Sequence, residues 1–440
     1  MQTNFTDHSL ADPNIAHSES IIRKCVRCGF CTATCPTYVT LGNELDSPRG
    51  RIYLIKNMLE SGRPADRTVA THVDRCLSCL ACMTTCPSGV NYMHLVDQAR
   101  AHIQRTYRRP LADRLIRLAL AKVLPHPARF RASLALARLA RPMAPVLDNV
   151  RPLRPLAAML RLAPARLPKP DASAGAPLPG AKRRVAILAG CAQSVLDPAI
   201  NASARRLLAR LGVAVVPAPG EGCCGALVHH MGREDEALGF ARRNIDAWER
   251  LIDADGGLDA ILVTASGCGT TVKDYGHMLR LDPAYAEKAA RVSALAVDVT
   301  EFLATLDLPE PAARPPLAVA YHSACSLQHG QRVTKEPKAL LSNAGFTVRD
   351  VPEGHLCCGS AGTYNILQPE ISVKLRDRKV RNIESVRPDC IATGNIGCIA
   401  QIGSATRTPI LHTVQLLDWA YGGPRPDALR SREMAPVAAE

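Results

Sequence analysis

Aromatic side chains are scarce in this 440-residue sequence, at 4% with two tryptophans, so its cores must be built from alanine, leucine and valine. No apolar run is long enough to span a bilayer, which argues against a membrane-spanning helix. No G-x-G-x-x-G opens a helix after a strand, and no P-loop is present, so the common phosphate cradles of dinucleotides and NTPs are missing. Neither a Ser-His-Asp set nor a pair of carboxylates stands out, so the chain does not read as a hydrolase. The opening "MQTNFTDHSLADPN" carries no basic stretch, no apolar run and no cleavage-type small residues, so secretion is not expected. In a reducing compartment, dense cysteine points to metal and not to disulfides.

Cysteine is what the chain has in plenty, at 17 residues. "CVRCGFCTATCP" begins at Cys25, and "CLSCLACMTTCP" repeats its spacing from Cys76. A single tetrahedral zinc has no need of the third closely spaced thiol. C-x₂-C-x₂-C-x₃-C-P is the bacterial ferredoxin pattern for a [4Fe–4S] cube, whose fourth cysteine crosses to the other cube. That rule assigns Cys25, Cys28, Cys31 and Cys86 to one cube, and Cys76, Cys79, Cys82 and Cys35 to the other. Between the motifs, Ile52, Ile55 and Leu59 keep helical spacing and Gly62 marks a stop. The expectation is a helical two-cluster module over residues 15–100 that conducts single electrons.

The formal charge of +14 is concentrated. Residues 101–170 hold fifteen Arg or Lys against Asp113 and Asp148, a balance of 15 − 2 = +13. Leu111, Leu115 and Leu118, then Leu134, Leu136 and Leu139, alternate with arginines, and ten prolines cut the segment into short helices. No helix-turn-helix, zinc-finger or RNA-recognition signature accompanies it, so nucleic acid is not an expected partner. Two readings stand: a surface for anionic lipid or an acidic subunit, with Arg114, Arg117 and Arg138 as its outward charges, or a solvated connector. "LPKPDASAGAPLPGAKR" then reads as a linker, closing a connector region at 101–182.

Beyond it the chain repeats. Cys191 is followed by Cys223 and Cys224, then Cys268; Cys325 is followed by Cys357 and Cys358, then Cys398. The first offset is thirty-two residues in both units. Strand, helix, strand, cysteine pair, long helix, strand, cysteine describes each, so two duplicated parallel α/β domains are expected, at 183–308 and 315–425. The cysteines fall at the ends of strand runs, where ligands bind in such sheets. Each set of four thiolates could hold an iron–sulfur cluster or one zinc, or stay free and buried. The set Cys325, Cys357, Cys358 and Cys398 is the stronger candidate, because "SGCG" around Cys268 implies a looser pocket in the other. Cys390, aligned with Ala260, reads as a small core residue. His322 and His355 flank the second set; either could be a ligand or a donor that supports one, and a satisfied interior histidine is the preferred reading of each.

The stretches "CVRCGFCTATCPTY", "DSPRGRIYLIKNMLE", "LAGCAQSVLDPAINASARRLL", "LCCGSAGTYNILQPEIS" and "TGNIGCIAQI" resemble the iron–sulfur subunits of bacterial glycolate oxidase (glycolate dehydrogenase). The two repeats resemble the CCG domains of heterodisulfide reductase subunits. The resemblance implies an α/β multidomain fold led by a helical two-cluster ferredoxin module. It implies two [4Fe–4S] clusters, with FAD only on partner dehydrogenase subunits that oxidise glycolate, and often D-lactate. Electrons would pass toward quinone or another membrane acceptor, on the cytoplasmic face of the inner membrane. The alternative is a heterodisulfide-reductase-like protein, or the iron–sulfur subunit of another 2-hydroxyacid or glycerol-phosphate dehydrogenase, with redox-active CCG cysteines. One departure is plain: where the full motif ends C-x-x-C, this chain has Ala265 and Asn395 at the earlier position.

Overall fold

A computed structural model describes residues 1–150, 153–164, 167–169, 180–254 and 256–430. The linker expected at 167–183 lies mostly outside the described residues.

The N-terminal part is helical. Ser47 caps the helix Pro48–Ser61 by accepting from the Gly50 amide, Pro48 occupies its first turn, and Gly62 ends it in the left-handed region. Its buried stripe, Ile52, Ile55, Met58 and Leu59, packs on Ile21 and Ile22 of Pro13–Lys24 and on Leu95, Val96 and Ile103 of Tyr92–Thr106. The cysteine motifs are the loops between these helices. Both take the same path, with positive φ two and four residues after the first cysteine: Arg27 and Gly29, then Ser78 and Leu80. At the position where the first motif has glycine, Leu80 is held at φ 62°. That conformation is costly for a branched side chain and is kept where function fixes the backbone.

Each repeat forms a four-stranded, all-parallel sheet. The first is ordered β2-β1-β3-β4, with β1 Arg183–Ile187, β2 Val213–Val215, β3 Ala260–Val263 and β4 Ala296–Asp298. The second is ordered β6-β5-β7-β8, with β5 Ala318–Tyr321, β6 Thr347–Asp350, β7 Cys390–Thr393 and β8 Ile410–His412. The inner strands β3, β5 and β7 are buried along their whole length, as both-face helix cover requires. Cys390 is fully buried beside Val319, as Ala260 is beside Val185, so it packs as a small hydrophobe.

The two sheets share one core, in which Val185, Ile187, Leu207 and Leu262 of the first repeat meet Val319, Leu341, Leu411 and Leu417 of the second. The Ser266 amide donates to the Gly394 carbonyl at 3.1 Å, and the His412 ring to the Thr264 carbonyl at 2.7 Å. Late in the chain, helix Thr413–Ala420 lies on Ala199–Arg210, where the buried Asp418 carboxylate accepts from Arg206 and Arg210.

The basic segment forms the helices Leu111–Val123, Pro127–Ala140, Ala144–Asp148 and Arg154–Leu162. Its orientation corrects the sequence reading. Arg117 is buried, donating to Asp74 and Asp113 at 3.0 Å, and Arg109 also binds Asp74. Burial would raise the Asp74 carboxyl, but Arg117 and Arg109 hold it below its ordinary range. Five of the six patterned leucines face outward instead, Leu134 alone being buried: Leu111 is 68% exposed and Leu139 81%, and Leu115, Leu118 and Leu136 are exposed too. Most of the exposed large hydrophobics among the described residues fall in this segment. Among those residues, no helix is long and apolar enough to cross a membrane.

Candidate metal centres

Cys25, Cys28, Cys31 and Cys86 line one cavity, together with Ile52, Pro48, Pro87 and Tyr92. Cys86 reaches it from the second motif because the helical turn Ala81–Thr85 lies against its counterpart Phe30–Ala33. Cys82 also borders the cavity. Burial pushes the Cys31 thiol up to about 11, with Cys25 and Cys35 adding to the effect. Thiolates held this close call for a cation. Cys28 is exposed, and its rim is apolar: Val26 and Phe30 both stand out in solvent.

Cys35, Cys76 and Cys79 are buried, and with Cys82 they make a second group. Burial raises the thiols of Cys79 and Cys82 well above their usual range, and each also feels Cys35 and Cys76. A fully buried arginine lies against this group. Arg51 donates to the His72 carbonyl at 2.6 Å and to the Thr37 hydroxyl at 2.9 Å, with Nη1 3.8 Å from the Cys35 sulfur. The fully buried Asp46 holds the far side, 3.5 Å from Arg51 and bonded to His72 at 2.8 Å and Arg75 at 2.9 Å. Arg100 donates to the Cys76 carbonyl at 2.7 Å. The Tyr92 hydroxyl is buried without a partner in the field of Cys76, Cys82 and Cys35. An anionic cube fits such surroundings: a fixed cation offsets its charge, and the idle hydroxyl faces its sulfurs. Sequence reading assigned no role to Arg51. The signal was its place four residues before Ile55, on the apolar stripe of its helix.

In the second repeat four thiols converge beyond the ends of β5 and β7. Cys325 and Cys357 lie 3.7 Å apart and Cys358 and Cys398 3.5 Å apart, with the Asn395 amide 3.5 Å from Cys398. The buried Lys379 donates to the Glu353 carbonyl at 2.8 Å and feels Cys358, Cys357 and Cys398. His322 corrects the sequence reading. It is buried, but neither ring nitrogen has a hydrogen-bond partner, and burial pushes the ring well below its usual range. His355 is exposed and not an interior residue. In the first repeat Cys191, Cys223, Cys224 and Cys268 also meet: Cys191 chiefly, then Cys224, holds the Cys223 thiol down at about 4. Asn244 and Tyr275 brace this turn by donating to the carbonyls of Cys223 and Cys224.

The helical part docks on both repeats. Toward the first, the His94 ring donates to Asp274 at 2.8 Å, and Asp97 faces His229 and His230. Toward the second, Leu77, Cys79 and Ala81 pack with Cys357 and Tyr364, against Cys325. Cys79 therefore stands among Cys35, Cys76 and Cys325.

Residues 21–90 match the family model of a 4Fe-4S dicluster domain, and residues 185–273 and 319–403 match that of a cysteine-rich domain. The glycolate oxidase iron-sulfur subunit of Escherichia coli (strain K12) is 46% identical, over 96% of this chain and 99% of its own length. The probable glycolate oxidase iron-sulfur subunit of Bacillus subtilis (strain 168) is 33% identical, over 92% and 95%. Lactate utilization protein A of Geobacillus thermodenitrificans is 26% identical, over 50% of this chain and 90% of its own length. A crystal structure of a hypothetical protein from Helicobacter pylori shares the fold, with a TM-score of 0.55 at 10% identity, covering 97% of this chain and 75% of that one. With two thiol-lined centres in a dicluster module and two cysteine-rich α/β repeats, the chain belongs to the family of glycolate oxidase iron–sulfur subunits.

Proposed function

We propose that this chain carries electrons within a glycolate-oxidising complex, from a flavin-bearing partner subunit toward quinone. One observation carries the reading: Cys79 joins the buried N-terminal thiol group to the second repeat, so three thiol groups form one line from the exposed Cys28 inward. In this reading Cys25, Cys28, Cys31 and Cys86 bind one cube, Cys76, Cys79, Cys82 and Cys35 the other, and Cys325, Cys357, Cys358 and Cys398 a third iron–sulfur centre. Each cluster, when bound, takes up and gives out one electron at a time. The protein's own work is to hold these groups in contact, keep water from the inner two, and offset their charge with Arg51 and Lys379. A two-electron oxidation needs a cofactor that accepts a pair, hence the flavin on another chain. The isolated chain should oxidise no glycolate with any dye, while its addition to the flavin partner should be required for quinone reduction. Glycolate turnover by the isolated chain would overturn the proposal.

The basic segment supports a peripheral seat on anionic lipid at the cytoplasmic face. Its outward leucines supply apolar contact, and Arg114 and Arg138 lie on the same two helices. Burying two leucines is worth about 3 kcal/mol or more, so the double change Leu111→Asp and Leu115→Asp should lower partition to anionic vesicles about a hundredfold. High salt should weaken wild-type binding as well. Equal flotation of both proteins in low and high salt would leave a solvated connector as the better account.

A further inference from the structure

Where helix Pro127–Ala140 of the basic segment crosses the first repeat, the packing leaves a gap. Phe130 and Leu134 pack on Val195 of the short helix Ala192–Leu196, yet a cavity of about 290 Å³ remains beside them. That is close to the lower bound of small-molecule sites, about 300 Å³. The polar cavities between the helical module and this repeat are only about 40 Å³ each. Its place in the sheet also favours a ligand. In the order β2-β1-β3-β4 the chain runs one way to β2 and then back past β1 to β3, so the switch point lies at the ends of β1 and β3. Ala189 and Gln193, just past β1, line the cavity, and Gln193 reaches Thr264, just past β3. None of the four cysteines of the repeat lines it.

The lining residues define the chemistry. Gln193 is 4% exposed, and its amide nitrogen donates to Asn201 at 2.8 Å and to the Thr264 hydroxyl at 2.5 Å. Asn201 spends its own amide nitrogen on the Leu188 carbonyl at 3.2 Å, which fixes the orientation of both amides. The Gln193 carbonyl oxygen is then left without a partner. A buried acceptor is costly to leave idle, so a bound group that donates to it is favoured. Arg131 lines the space from the connector helix, and Arg205 from Ala199–Arg210. The acid among the lining residues is Asp197, whose carboxyl burial pushes up to about 6 against the pull of Gln415. Two guanidinium groups against one carboxylate leave 2 − 1 = +1. One positive charge suits a monoanion better than a phosphate dianion, and a guanidinium fork matches a carboxylate.

We infer that this cavity is a binding site for a small hydroxycarboxylate, its carboxylate on Arg131 and Arg205 and its hydroxyl donated to Gln193. The reading of the chain as part of a glycolate-oxidising complex makes 2-hydroxy acids the members of that class to try first. A ligand held here joins the connector helix to the strand ends of the first repeat.

The test uses the full-length chain with its clusters, purified anaerobically and without a flavin partner, so binding is read apart from electron transfer. Titration calorimetry with glycolate, D-lactate and D-glycerate should find one site per chain. Acetate, which lacks the hydroxyl, should bind about tenfold more weakly. Arg131→Gln and Arg205→Gln should each weaken hydroxy-acid binding about tenfold or more. Ala128 is an exposed lining residue, so Ala128→Trp should block the cavity and abolish binding with the iron content unchanged. Equal binding by all four proteins, or no binding of any probe, would overturn the site and leave the electron-transfer reading standing. Inorganic phosphate bound more tightly than every hydroxy acid would overturn the carboxylate assignment.

Discussion

In the Cys86→Ser protein, about four of the eight irons expected in the N-terminal module should be missing, and the cube lost should be the one bound by the motif some sixty residues upstream. Cys86 lines the cavity of Cys25, Cys28 and Cys31, while Cys35 sits with Cys76, Cys79 and Arg51. Two reduced cubes this close give coupled paramagnetic signals, and the variant should show the simple spectrum of one. Because the lost cube is the one nearest the surface, electron transfer with partners entering at Cys28 should fall below detection, although the inner cube remains reducible by small dyes. Loss of the cube bound by Cys76 instead would refute the crossed arrangement.

Arg51→Met is expected to be the most damaging change away from the cysteines. Removing one member of a buried ion pair costs about 3–5 kcal/mol, because its partner is left charged in a dry site. Here the His72 carbonyl would lose the donor at 2.6 Å, the Thr37 hydroxyl would lose the donor at 2.9 Å, and Asp46 would keep only Arg75 and the His72 ring. The holo-protein should unfold at markedly lower denaturant concentration. Arg51→Lys keeps the charge but loses the planar fork, so it should fold with a smaller loss. Any weakening of the positive field at Cys35 should lower the potential of the inner cube, at roughly 59 mV for each tenfold change in the one-electron equilibrium. An Arg51→Met protein with an unshifted unfolding midpoint and potential would show that the cation is dispensable.

What could be read from the sequence was what spacing encodes. The duplicated motif revealed the dicluster module, and the thirty-two-residue offsets revealed the paired parallel sheets, because duplication copies distances along the chain together with the fold. The match of Cys390 to Ala260 was enough to place it in a core strand. Orientation was another matter. The period of Leu111, Leu115 and Leu118 says that they share a helix face, but not that this face looks outward while Arg117 turns in to Asp74, forty-three residues away along the chain. Arg51 was given no role, and His322 was read first as a satisfied core residue, for a related reason. A polar residue's burial is decided by what packs over it, and each is covered by segments remote in sequence.

The core shared by the two repeats also bears on how the chain is made. Helix Ala199–Arg210 packs on Thr413–Ala420, which is made roughly two hundred residues later. At about 5–20 residues per second, ribosomes leave the first repeat without that cover for some ten to forty seconds. For that interval Cys191, Cys223, Cys224 and Cys268 belong to an unfinished domain with an apolar face open to chaperones, oxidants and stray metal ions. The N-terminal module has emerged well before then. Its own core closes on local helices, so its centres can be filled while the rest of the chain is still being synthesised.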